Sequence, residues 1–127
     1  MSPIYTIQKS IIVGHIYYTL YENEINIGKA IFDKQVTSES NTIHLKFIYI
    51  KPDKRGNNLS TILFNLVEKE LKLNNNKKIT LDAEEDTTRH NKLINLYKTI
   101  GYQIVGTERY IYKSDTLYRS IRMEKEL

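Results

Sequence analysis

Pro52 divides the chain into two kinds of periodicity. Before it, Thr42 to Ile50 is a run rich in β-branched and aromatic residues, ending at Lys51 and Pro52 because proline cannot donate to a sheet ladder. After it, Leu59, Ile62, Leu63, Leu66, Val67 and Leu71 recur at steps of three and four, a continuous helical apolar face that dies in Asn74, Asn75 and Asn76. Lys78 to Ala83 then reads as a buried strand. A strand, a polar turn, a helix and a strand make a β-α-β unit, whose crossover should be right-handed and leave its strands parallel. Ligands in such sheets tend to bind at the carboxyl ends of strands, beside helix amino termini.

The remaining segments frame that unit. Ile11 to Tyr21 reads as one strand, with Ile16, Tyr18 and Leu20 alternating against Tyr17, Thr19 and Tyr21. Glu22, Asn23 and Glu24 turn the chain into a second strand through Ile25, Ile27, Ala30 and Phe32, where Gly28 suggests a bulge. Val36 to Asn41 reads as a polar loop. Downstream, Thr87 or Thr88 is expected to cap a second helix carrying Leu93, Leu96, Tyr97 and Ile100 up to Gly101. Tyr102 to Tyr112 and Thr116 to Glu124 close the chain as two strands joined through Ser114 and Asp115.

Composition narrows the function. With 127 residues the chain is expected to form a single domain, 1–127, and the absence of cysteine excludes disulfides, thiolate metal sites and cysteine nucleophiles. His15, His44 and His90 lack metal-ligand spacing, so no metal is expected. No stretch approaches the roughly 20 apolar residues that span a bilayer. Polar Gln8, Lys9 and Ser10 stand where a signal peptide is apolar, so a cytoplasmic protein without membrane partners is expected. The net charge of +4 favours an anionic partner, and a phosphate-bearing cofactor accounts for it as readily as nucleic acid.

The turn itself suits a pyrophosphate. The first amides of a helix have no internal partner and carry partial positive charge, and Lys54 and Arg55 would add full charges. Here the sequence resembles motif A of the GNAT acetyltransferases: Gln or Arg, two residues, Gly, one residue, then Gly or Ala, after a strand and a proline-bearing turn. Arg55 matches the first position, while Asn58 and Ser60 stand at the two small positions. Asn visits left-handed backbone more easily than most residues, and Ser is nearly as small as Ala. Leu96-Tyr97-Lys98-Thr99-Ile100-Gly101-Tyr102 is similar to a second signature of the family, Leu-Tyr, three residues, Gly-Phe/Tyr. Met123 to Leu127 looks like its closing strand.

The resemblance implies an α+β (α/β three-layer) fold: a mixed, mainly antiparallel sheet of six to seven strands with two main helices. The family's first strand and two helices would be reduced here, since only Met1 to Ser10 precede the first strong strand. It implies acetyl-CoA as cosubstrate and N-acetylation by direct attack of a primary amine, on a small molecule such as a polyamine, amino sugar or amino acid, or on a peptide or protein. Main chain at Ile48, Tyr49 and Ile50 would meet the pantetheine arm and thioester. Lys54, Arg55, Gly56, Asn57, Asn58, Leu59, Ser60 and Thr61 would hold the pyrophosphate, with His90 and Asn91 near the family's usual Asn. Tyr97 matches the family's general acid, and His44 stands where many members have a glutamate base. Asp82, Glu84 and Glu85, within the acidic run that ends at Asp86, would draw a cationic acceptor. A homodimer could complete the acceptor site. The alternatives are a degenerate GNAT-fold interaction module with little or no coenzyme binding, and, less expected, a basic nucleic-acid-binding domain.

Overall fold

A computed structural model of the chain describes residues 2–33 and 41–127. The strands are β1 (Tyr5–Ile12), β2 (His15–Glu22), β3 (Ile25–Asp33), β4 (Thr42–Ile50), β5 (Lys78–Asp86), β6 (Gln103–Ile104), β7 (Arg109–Lys113) and β8 (Thr116–Glu126). The helices are α1 (Leu59–Leu73) and α2 (Lys92–Thr99), with short 3₁₀ turns at Pro52–Lys54 and Thr87–Arg89. One sheet holds every strand in the order β1-β2-β3-β4-β5-β8, and β6 and β7 both pair with the far side of β8. Among the described residues only β4 and β5 run parallel; the other pairs are antiparallel. The α+β class and the two helices are as the sequence indicates.

The expected first strand is in fact two. Val13 and Gly14, at φ 45° and 78°, make a tight turn between β1 and β2, so Ile11 and Ile12 belong to β1. A β-branched residue rarely adopts positive φ, so the sequence carries no turn signal at Val13 and reads as one continuous strand. The turns at Asn23–Glu24 and Ser114–Asp115 use the same left-handed pair of dihedrals, at residues better suited to them. A direct β1–β2 turn leaves no room for helices between these strands. The expected loop at 36–41 lies outside the described residues apart from Asn41.

The bulge anticipated at Gly28 falls beside it. Leu20 faces Gly28 and Tyr21 faces Asn26, so Ile27 is the extra residue. Glycine is required there, because a Cβ would sit 2.6 Å from the Tyr49 carbonyl oxygen. A second bulge places Leu45 opposite Phe32 and Phe47 opposite Ile31, leaving Lys46 unmatched.

Both helices cover one face of the sheet. Tyr18, Leu20, Phe32, Leu45, Ile79, Leu81 and Met123 project from the strands into a single core with Leu63, Phe64 and Val67 of α1 and Ile94 and Tyr97 of α2. Phe64 packs edge-on against Tyr97 at 5.9 Å between centroids, which joins the two helices directly. The described residues therefore form two layers, helices on sheet, rather than three. The opposite face, carrying His44, Phe47, Tyr49, Thr80, Asp82 and Glu84, has no helix on it among the described residues.

Two downstream expectations change in detail. The second helix begins at Lys92, after His90 and Asn91 break the chain at φ 55° and 65°. Its first turn is capped from β5 rather than from Thr87 or Thr88: Glu85 accepts from the Leu93 amide at 3.0 Å, while Asp86 caps the preceding 3₁₀ turn by accepting from the Thr88 amide at 2.8 Å. The strand expected over 102–112 is interrupted between β6 and β7, where Gly106 approaches so closely that a Cβ would lie 2.9 Å from that of Arg122.

Candidate active site

The parallel pair β4–β5 is where the sheet opens. Its register runs only from Thr42 opposite Lys78 to Leu45 opposite Leu81, yet β4 continues to Ile50 and β5 to Asp86. The bulge at Lys46 sits at the point of divergence and redirects β4 away from β5. Beyond it, the β5-facing edge of β4 has no strand partner, and a cleft of about 470 Å³ enters the sheet there. Its walls include Lys46, Phe47 and Ile48 from β4, Asp82 and Glu84 from β5, and Tyr97 from α2. Of the stretch Ile48, Tyr49 and Ile50, the first lines this cleft and the last lines the adjoining cradle.

That cradle is the turn into α1. Gly56 at φ 84° and Asn58 at φ 57° bend the backbone through left-handed conformations, and Asn58 caps α1 without using its side chain. As a result, among the described residues the amides of 56–61 donate no hydrogen bond. The hollow beside them, about 240 Å³, is lined by Gly56, Asn58, Leu59, Ser60 and Thr61 and closed by Leu96 of α2. Successive free amides at a helix amino terminus are an anion site. Asn57 faces back, its side-chain amide on the Lys54 carbonyl at 3.1 Å.

Lys54 and Arg55, the expected side-chain cations, line the same hollow and also make contacts within the protein. Lys54 reaches Glu22 at 3.1 Å, and the Arg55 guanidinium donates to the Ile50 carbonyl at 2.9 Å while lying over the Tyr49 ring. Arg55 thus braces the strand-to-turn corner while bordering the hollow into which the main-chain amides open. His90 and Asn91 are exposed and line neither hollow.

Tyr97 is 5% exposed, wedged between Phe64 and Tyr102, and it borders the cleft. Burial pushes its phenol up to about 12, so it stays protonated at neutral pH. His44 stands one step back from the cleft, behind Asp82. Its Nδ1 is 2.8 Å from the Thr80 hydroxyl and its Nε2 is 3.8 Å from Asp82 Oδ2. Burial lowers its pKa below 6.5 against the opposing pull of Asp82. The ring is therefore neutral at pH 7, a state able to accept a proton.

The sequence profile of the acetyltransferase (GNAT) family matches residues 5–102, a span that holds both walls of the cleft at β4 and β5 and the whole cradle. The chain belongs to the GNAT acetyltransferase family. No curated protein matches it in sequence. Solved structures do. A GNAT family acetyltransferase from Elizabethkingia anophelis with acetyl-CoA bound is 15% identical with a TM-score of 0.75, over 97% of this chain and 98% of that one. The ribosomal-protein-S18-alanine N-acetyltransferase from Escherichia coli is 20% identical with a TM-score of 0.72, over 91% and 71%. An aminoglycoside 6'-N-acetyltransferase complexed with coenzyme A is 19% identical with a TM-score of 0.67, over 90% and 73%. At these identities the likeness is one of fold.

In this GNAT chain the acidic run is not the free negative patch that its sequence suggests. Asp82 and Glu84 face the cleft, but the two oxygens of Asp82 take Arg122 at 2.6 and 3.2 Å, and Glu84 is ion-paired with Lys113. Burial raises the Asp82 carboxyl, but the hydrogen bond and charge of Arg122 outweigh it and hold the group below its ordinary value. Glu85 departs from expectation altogether. Strand alternation turns it to the helix face, 3% exposed, where it caps α2 and approaches Arg119 at 3.8 Å. Lys46 and Lys113 line the cleft without any sequence signal: one depends on a bulge, the other on a pairing 29 residues away.

Proposed function

We propose that the chain is an acetyl-CoA-dependent N-acetyltransferase that acts on the primary amine of a small molecule or polypeptide. The observation that carries this reading is the run of unpartnered amides at 56–61, which opens beside a cleft in the sheet. The donor set suits a diphosphate, and the cleft beside it suits the narrow arm of a thioester. Acetyl-CoA, when bound, supplies an activated acetyl group; the chain positions it and moves protons.

The unpaired β4 edge offers main-chain groups to the arm and to the thioester oxygen, whose negative charge grows as the amine attacks. In the balanced step a C–N bond forms and a C–S bond breaks. The amine gives up a proton to Nε2 of His44, a role that requires the ring's own proton to sit on Nδ1, 2.8 Å from the Thr80 hydroxyl. Tyr97, which lines the cleft, is the residue assigned to protonate the leaving sulfur, and its raised pKa keeps that proton available.

Titration calorimetry with acetyl-CoA and thiol-release assays with a panel of amines test the reading together. Saturable binding and acetyl transfer are expected. Tyr97→Phe should reduce turnover about 10²-fold or more while leaving acetyl-CoA affinity within about twofold, as expected for a lost general acid. No heat of binding would end the case for acetyl transfer, and unchanged turnover would remove Tyr97 from it.

A further inference from the structure

Resting on the acetyl-transfer reading, we propose that the acceptor is an amino-acid-like small molecule, an amine with a carboxylate of its own, and that Lys46 recognises the carboxylate.

The charges around the cleft point this way. Those lining it are Lys46, Asp82, Glu84 and Lys113. Both acids are consumed, Asp82 by Arg122 and Glu84 by Lys113, so neither offers a free carboxylate to a cationic acceptor. Lys46 is differently placed. Its only carboxylate neighbour among the described residues is Asp33, at 3.8 Å, and Asp33 also lies 2.9 Å from His15 Nδ1. With its side chain 53% exposed, Lys46 is the least committed charge at the mouth of the cleft. Arg109, close enough to act on Asp82, makes no ion pair within 4.0 Å among the described residues.

Around the cleft, therefore, the four cations Lys46, Arg109, Lys113 and Arg122 stand against the three carboxylates Asp33, Asp82 and Glu84. A polyamine would add several positive charges to a surface that already has a surplus. An amine with a carboxylate adds none, and its carboxylate finds an ammonium with spare donors. The bulge explains why this lysine is available. Lacking a register partner in β3, Lys46 is released from the regular alternation at the point where β4 leaves β5. Its ammonium stands near Asp33, whose register partner His44 lies on the sheet face opposite the helices.

The test measures kcat/KM at saturating acetyl-CoA for amino acids, for the corresponding amino acid amides and for spermidine, with calorimetric titration of acetyl-CoA run on every variant. The amino acids are expected to exceed their amides by about tenfold or more, which corresponds to one charge-assisted contact. Lys46→Met should erase that difference by raising KM for the carboxylates alone, and Lys46→Arg should keep most of it. The proposal fails if spermidine or the amides are acetylated as well as the amino acids, if no amino acid is acetylated, or if Lys46→Met slows every acceptor equally. Acetyl-CoA binding with a preference for spermidine sinks this proposal alone. Absence of acetyl-CoA binding sinks the acetyl-transfer reading, and this proposal with it.

Discussion

His44 ties the chemistry of the cleft to pH. Its imidazole is held between the Thr80 hydroxyl and the Asp82 carboxylate, and burial favours its neutral form enough to lower its pKa below 6.5. A depressed histidine pKa means that the unfolded chain takes up a proton first as the pH falls. Stability is thus unaffected above about pH 6.5 and declines as pH drops toward the folded-state value. A base in this position has a matching kinetic signature. The acidic limb of kcat/KM should have its midpoint below 6.5, and His44→Gln should abolish that limb while lowering the plateau about 10²-fold. A pH–rate profile whose acidic limb is the same in His44→Gln as in the parent would assign the proton transfer to another group. Tyr97 and Asp82 make poor substitutes, since the first is protonated throughout this range and the second, paired with Arg122, is ionised throughout it.

At the scale of elements, the site depends on how β4 enters α1. Ser60 is the second residue of the helix, where an amide has no intrahelical acceptor and proline is tolerated. Ser60→Pro should therefore leave the fold and its thermal midpoint nearly unchanged, yet weaken acetyl-CoA binding by about tenfold to a hundredfold, the loss of one hydrogen bond to a charged oxygen. Calorimetry decides; unaltered affinity would show that the main chain there does not hold the anion. This corner was largely legible in the sequence. Pro52 ended a strand, the leucine spacing began a helix, and Asn58 adopts the left-handed conformation its residue type permits. The walls of the cleft were not. The divergence of β4 from β5 rests on one unmatched residue, Lys46, and no local pattern announces a bulge between His44 and Phe47. Likewise the acidic run reads as an open charge cluster until β8 and β7 bring Arg122 and Lys113 to it from 40 and 29 residues away. Glu85 departs from expectation for a simpler reason: β5 runs past the expected end at Ala83 to Asp86, and alternation within a strand turns sequence neighbours to opposite faces.

For the whole molecule, the cleft is a gap between two halves of one sheet, and the question is what keeps the halves together. Backbone pairing between them is limited to the four residues Thr42 to Leu45 opposite Lys78 to Leu81. The rest falls to the shared core, in which Ile43 and Leu45 of one half and Ile79 and Leu81 of the other meet Leu63, Phe64 and Val67 of α1. Buried apolar packing of this kind holds the gap open without help from a ligand, so the amides lining it face water in the free protein. A ligand that lies along the β4 edge and ends in the cradle would contact both at once. Hydrogen exchange should then slow in two separate segments on addition of acetyl-CoA, the β5-facing amides of 46–50 and those of 56–61, while the core strands change little. The same binding should raise stability by about 2.7 kcal/mol at a ligand concentration a hundredfold above Kd, read as an upward shift of the thermal midpoint. Protection confined to 56–61 would mean that the cradle holds a phosphate but the sheet does not take the thioester arm, and the molecule would then bind coenzyme without being built to transfer its acetyl group.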